Sequence, residues 1–278
     1  MRLRSTPSVA SMAEPIRTTD RRGGARCLVL LVALLAGCAA APLRPTVATV
    51  WQPSPNFDER RPEYVILHHT SNATAEPALR TLTRRESQVS AHFLVVRDGT
   101  IVQLVDERAR AWHAGASLWG DSHDINSASL GIELDNDGAE AYPEAQVKAT
   151  LALLADLSRR YRIPTANYLG HADVAPRRKV DPGRLFPWKR LADAGFGLWC
   201  DAAEIPADAA AAGTDAGEGA VDDALGLRAF GYDTSDIDAA RAAFRMHFVS
   251  DEAGDEWTDR DRATLACLLE KKEQSRLR

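Results

Sequence analysis

The sequence predicts an α/β (α+β) fold: a mixed central β-sheet flanked by helices, followed by a small three-helix C-terminal domain. Three observations carry that expectation. Between about residues 61 and 200, short apolar, β-branched runs bounded by turn residues alternate with stretches of helical period. Residues 201–217 are then rich in Ala, Asp and Gly, which is linker composition. Beyond the linker lie three short amphipathic segments.

The elements follow in order. Residues 64–70, YVILHHT, form a short apolar strand that runs into two histidines. Residues 75–87, AEPALRTLTRRES, read as a helix. In AHFLVVRDGTIVQLV, 91–105, two apolar strands flank Asp98-Gly99, a strong hairpin signal. SLGIELDN, 129–136, is a further strand. Alternation there puts Gly131, Glu133 and Asp135 on one face and Leu130, Ile132 and Leu134 on the other. Val147, Leu151, Leu154 and Leu157 recur at helical spacing behind Pro143, which predicts a helix over 143–163. GHADVAPRRKVDPG, 170–183, breaks the pattern. Pro176 and Pro182 remove backbone donors and bias Ala175 and Asp181 away from helical angles, so a non-helical loop is expected. The tail segments are 221–233, 236–248 and 258–272, the last with Thr258 as N-cap.

Composition bounds the class of function. With 278 residues, 45% of them hydrophobic and 26% charged, the chain is globular and has room for more than one domain. A net charge of −5 and the lack of a long Lys/Arg run argue against a nucleic-acid partner. The first forty residues read as a targeting segment. Arg21, Arg22 and Arg26 precede CLVLLVALLAG, too short for a bilayer span and suited to a signal-peptide core; Met12 is an alternative start. That run ends in Leu35-Ala36-Gly37-Cys38, which resembles the lipobox of bacterial lipoproteins. The resemblance implies a signal peptide over 1–37 and a lipid on Cys38. Since Ala39 and not Asp follows, it also implies an outer-membrane lipoprotein facing the periplasm; ordinary secretion is the alternative. Pro42, Pro45, Pro53 and Pro55 give 38–60 the character of an extended tether. Cys200 and Cys267 would then sit in an oxidising compartment, paired or as free buried thiols. No CxxC pair occurs, which argues against a thiolate zinc knuckle.

A loop so poor in apolar side chains has little reason to carry His171, Lys179 and Asp181 unless they do chemistry. Six of the seven histidines fall between 68 and 171. A catalytic zinc takes about three His, Asp or Glu ligands and keeps one position open. His68 at a strand end, with His171 and Asp181 from the loop, meets that need, and no H-E-x-x-H helix competes. Neighbouring strand residues face opposite ways, so only one of His68 and His69 can serve; the residues alone leave the choice open. Hydrolysis also needs a base and an oxyanion partner. Glu133, in an otherwise apolar strand, and Lys179, close to Asp181, are the candidates, and each also reads as a solvated surface group.

ILHHT, SAHFLV, AWHAG, LGIELDN and GHADVAPRRKVDPGRLFPW occur in that order between Tyr64 and Trp199. Together they resemble the type 2, zinc-dependent N-acetylmuramoyl-L-alanine amidases. The likeness is greatest to the lipoprotein amidases of the Gram-negative outer membrane, which carry a C-terminal peptidoglycan-binding-like helical domain. The resemblance implies a catalytic domain over 61–200 and a helical domain of that kind over 218–273. It implies that His68, His171 and Asp181 bind Zn²⁺, that Glu133 is the general base and that Lys179 is the oxyanion partner. The reaction implied is hydrolysis of the amide between N-acetylmuramic acid, or its anhydro form, and L-alanine in peptidoglycan or muropeptides. A monomer is expected. His69 becomes structural or supporting, and His92 and His113 match motif positions near the cleft but stay outside the catalytic set. Trp112 reads as a sugar or peptide contact, or as core; His123 and His247 default to the surface. A non-catalytic peptidoglycan-binding lipoprotein is the main rival, and the full set of His68, Glu133, His171 and Asp181 argues against it. A purely structural lipoprotein leaves the histidine loop unexplained, and Cys200 and Cys267 lie in no activating arrangement for a thiol hydrolase. The tail lacks the usual Asp-Gly-x-Phe-Gly turn of wall-binding repeats, so packing against the catalytic domain is the alternative for it.

Overall fold

The computed structural model describes residues 61–205, 222–249 and 256–276; the signal segment, Cys38, the tether and most of the linker lie outside the described residues. In chain order the elements are β1 (Tyr64–His69), α1 (Ala75–Thr83), β2 (Phe93–Val95), β3 (Ile101–Gln103), α2 (Ile125–Ala128) and β4 (Ser129–Leu134). Then come α3 (Glu144–Tyr161), β5 (Tyr168–Gly170), α4 (His171–Val174), α5 (Trp188–Asp193), α6 (Asp223–Phe230), α7 (Ile237–Phe248) and α8 (Asp259–Arg276). The strands make one sheet in the order β3-β2-β4-β1-β5. β1 runs parallel to β4 and β5, and β2 parallel to β4; β2 and β3 are antiparallel. The turn between those two holds Gly99 at φ +90°, which glycine adopts without Cβ strain. This is the mixed, helix-flanked sheet that the sequence predicts.

Each face of the sheet has its own core. On one, Val147, Leu154 and Leu157 of α3 pack with Leu67, Leu130, Ile132 and Leu134. The leucine and isoleucine set of β4 therefore turns to the helix, as its alternation requires. On the other face, Ile66 and Leu169 join Trp119, Phe230, Tyr232 and Phe244, so the C-terminal helices share a core with the sheet. Burying an aromatic such as Phe244 stabilises by roughly 2–3 kcal/mol, and several such side chains hold these helices in place. Cys200 and Cys267, 67 residues apart, form a disulfide that adds a covalent link between the chain after α5 and α8.

Some elements differ from expectation for physical reasons. The 170–183 loop opens with one helical turn, α4, closed by a hydrogen bond from Ala175 N to His171 O. Pro176 prevents only its continuation. β5, α2 and α5 are too short to leave a hydrophobic period. His247, expected at the surface, is buried between the rings of Trp188 and Phe248, with centroids 3.6 and 3.8 Å away.

Candidate metal centre

Strand register places the first residues of the site. His68 lies opposite Glu133 in the parallel β1–β4 pair, so both project from one face at the C-terminal ends of their strands. β5 borders β1 on its other side and leads directly into His171. The chain then returns through Pro176, so that Asp181 reaches the same point. Two hydrogen bonds fix that return: Ala172 N–H donates to Asp181 O at 2.9 Å, and Tyr142 O–H donates to Pro182 O at 2.7 Å.

His68, more than a hundred positions before the other two, is buried together with His171 and Asp181. Their donor atoms form a small triangle. His68 Nδ1 is 2.9 Å from His171 Nδ1, and each is 3.1 Å from Asp181 Oδ2. Ligand atoms on a tetrahedral zinc with ~2 Å bonds stand ~3.3 Å apart, so the three atoms match the spacing of one metal. His69 adds nothing to the triangle: its Nδ1 meets the N–H and hydroxyl of Ser71. Geometry thus distinguishes the two histidines that sequence could not.

Hydrogen bonding away from the centre sets the tautomers. His171 Nε2 lies 3.1 Å from Ala114 O, which can only accept, so Nε2 carries the proton and Nδ1 turns a lone pair to the centre. For His68 the same conclusion comes through a relay. Ser129 gives its hydroxyl proton to Ile125 O and accepts from His113 Nε2 at 3.3 Å. His113 Nδ1 then accepts from His68 Nε2 at 3.1 Å, which leaves His68 Nδ1 without a proton. Burial, and next the neighbouring His171, push the His68 pKa down to about 4, so the ring is neutral at neutral pH. Two lone pairs and a carboxylate converging without a hydrogen between them repel one another unless a cation lies among them. The donor set fits a zinc-like ion.

Further residues hold these histidines in place. Asn126 Oδ1 accepts from both His113 N and Ala114 N, at 2.9 and 2.8 Å, and so fixes the segment that orients His68 and His171. No motif announces that role. Gly131 leaves room for the relay, since a Cβ there would lie 2.4 Å from His113 Cγ. His92 accepts from Gly131 N at 2.9 Å and its Nε2 meets Ala109 O, a structural task outside the donor triangle.

The triangle forms one wall of an open cleft of about 230 Å³ that Glu133, Lys179 and Trp112 also line. Glu133 Oε2 is buried and has no hydrogen-bond partner among the described residues. Burial, and then the charge of Asp181, raise its pKa to about 8, against a downward pull from Lys179. Lys179 is half-buried, and Trp112 is 51% exposed, so it is not core. Metal donors, a poised carboxylate, an ammonium and an aromatic ledge thus share one cleft, a set suited to metal-assisted hydrolysis.

Known proteins share this arrangement of sequence and fold. The family described as N-acetylmuramoyl-L-alanine amidase matches residues 58–184. The N-acetylmuramoyl-L-alanine amidase AmiD of Escherichia coli is 37% identical over 202 residues, covering 64% of this chain and 70% of that protein. The 1,6-anhydro-N-acetylmuramyl-L-alanine amidase AmpD of Citrobacter freundii is 36% identical over 160 residues, 50% of this chain and 86% of the relative. The solved structure of E. coli AmiD with its substrate anhydro-N-acetylmuramic acid-L-Ala-D-γ-Glu-L-Lys superposes with a TM-score of 0.68 at 34% identity. It covers 80% of this chain and 94% of that one. Fold and sequence agree, and this chain belongs to the N-acetylmuramoyl-L-alanine amidase family.

Proposed function

We propose that this chain is a zinc hydrolase that cuts the amide between the lactyl group of N-acetylmuramic acid, or its anhydro form, and the L-alanine of the stem peptide. One observation carries the assignment of roles: three proton-free donors converge in the cleft that Glu133 also lines, where its Oε2 has no partner among the described residues. His68, His171 and Asp181 hold the zinc. When bound, zinc supplies positive charge that polarises the scissile carbonyl and acidifies water. Glu133 takes a proton from the attacking water and returns it to the leaving amine, a task suited to a carboxylate whose pKa lies near neutrality. Lys179 places its ammonium beside the developing oxyanion. Trp112 offers a flat face to the sugar or peptide. That the substrate bound to E. coli AmiD is an anhydro-muramyl peptide supports the same class of substrate here.

The test is mass spectrometry of peptidoglycan and anhydro-muropeptides digested by residues 39–278, with and without a chelator. Free stem peptides beginning with L-alanine, lost on chelation and restored by Zn²⁺, are expected. Intact muropeptides under every condition, with the protein still bound to the wall, would point to a binding lipoprotein.

The domain and location readings belong to the same proposal. Residues 61–200 carry the catalysis, and 218–273 form a helical domain that engages peptidoglycan. A lipid on Cys38 anchors the enzyme to the outer membrane, where tethering raises the local concentration of wall substrate. Cys38→Ser should move the protein from the membrane fraction to the soluble periplasm. Continued sedimentation with membranes would count against lipidation.

A further inference from the structure

We infer that the C-terminal helices hold the metal ligand His171 in place through Asp173, making Asp173, Tyr232 and His247 positioning residues of the metal centre. The inference rests on the metal-site reading above. Asp173 lies in α4, two residues after His171, is 1% exposed and does not line the cleft. A carboxylate is buried at high cost unless donors surround it, and here three do. Gly170 N–H donates to Oδ2 at 2.7 Å, Tyr232 O–H to Oδ1 at 2.6 Å, and His247 Nδ1 to Oδ2 at 2.7 Å. The first closes the backbone around His171 itself, because Gly170 and Asp173 flank it. The other two come from outside the sheet, Tyr232 just after α6 and His247 from α7.

These two partners are themselves immobilised. Tyr232 is packed edge-on against Trp119, and His247 lies between Trp188 and Phe248. The chain next to His171 has no slack. A Cβ on Gly170 would lie 2.9 Å from Cδ of Pro182, the residue after the ligand Asp181, and 3.1 Å from Cζ2 of Trp188. A force on α7 therefore passes through Asp173 to the turn that aims His171, and through Gly170 to the loop that aims Asp181. Wall binding does not require such a bond. Supporting hydrogen bonds that orient ligands are worth ~10–100-fold in metal affinity, and this is the effect expected here.

The experiment uses the full chain, stripped of metal and titrated with Zn²⁺ against a chromogenic chelator, beside thermal melts of the metal-free form. Tyr232→Phe removes one oxygen and keeps the ring; His247→Leu removes a donor, and His247→Asn restores an amide donor near the Nδ1 position. Tyr232→Phe and His247→Leu should each weaken Zn²⁺ binding ~10-fold or more in folded protein, with partial recovery in His247→Asn. Zinc affinity within about twofold of wild type in folded Tyr232→Phe, the mildest change, would overturn the inference and leave a purely structural bracket. If His247→Leu does not fold, Tyr232→Phe decides alone. A wild-type chain that binds no Zn²⁺ would instead overturn the metal-site reading, and this inference with it.

Discussion

His171→Ala is expected to lose both bound metal and amidase activity, with turnover down ~10³-fold or more, as when the group stabilising transition-state charge is removed. The residue acts at two points. Its Nδ1 lone pair is one corner of the donor triangle, and its Nε2–H anchors to Ala114 O. Removing the ring leaves one histidine and one carboxylate, too few to hold a catalytic ion. Metal analysis of the purified variant checks this directly, and circular dichroism confirms that it is folded. Full metal occupancy in a folded His171→Ala protein would remove this residue from the ligand set.

Glu133→Gln should give the opposite combination: metal retained, turnover lost by ~10²-fold or more. Glutamine keeps the shape and the hydrogen-bonding reach but cannot carry a proton between water and the leaving amine. Near-normal turnover would exclude Glu133 as the base. The same variant makes a stability prediction for metal-free protein. The folded pKa of Glu133, about 8, lies above the ordinary carboxylate value, so the fold favours the protonated acid. Its contribution to stability is full below the unfolded pKa and is lost as pH rises through the folded value. Between pH 5 and 9 the neutral glutamine variant should therefore gain on wild type, by at most about 4 kcal/mol. Denaturant titrations of both proteins in chelator at the two pH values measure it. A difference independent of pH would show that Glu133 does not titrate in that window.

Much of this site is legible in the sequence itself. The β-branched run ending in His68, the alternation that isolates Glu133 from Leu130, Ile132 and Leu134, and the proline-bounded loop with His171 and Asp181 are local signals. The family resemblance then ordered them. What could not be read depends on tertiary neighbours. His68 and His69 are equivalent until β1 is placed in register with β4. His113 orients His68 only because Gly131 lets the ring approach. His247 carries no local mark of burial, since its sandwich is made by Trp188, 59 positions earlier in the chain, and by Phe248. Four- and six-residue helices such as α4 and α5 leave too little periodicity to see.

The triangle of donor atoms also has a consequence for how the protein comes into being. Its corners are separated by 103 and 113 positions along the chain, so no local piece of an unfolded molecule can assemble it. If the triangle holds the proposed zinc, only molecules that have already joined β1 to β5 and brought Asp181 back to His68 can capture it. An ion that binds only those molecules shifts the equilibrium towards them, by ~2.7 kcal/mol when its free concentration is a hundred times its dissociation constant. Starving a cell of zinc would then reduce the lifetime of the enzyme as well as its rate.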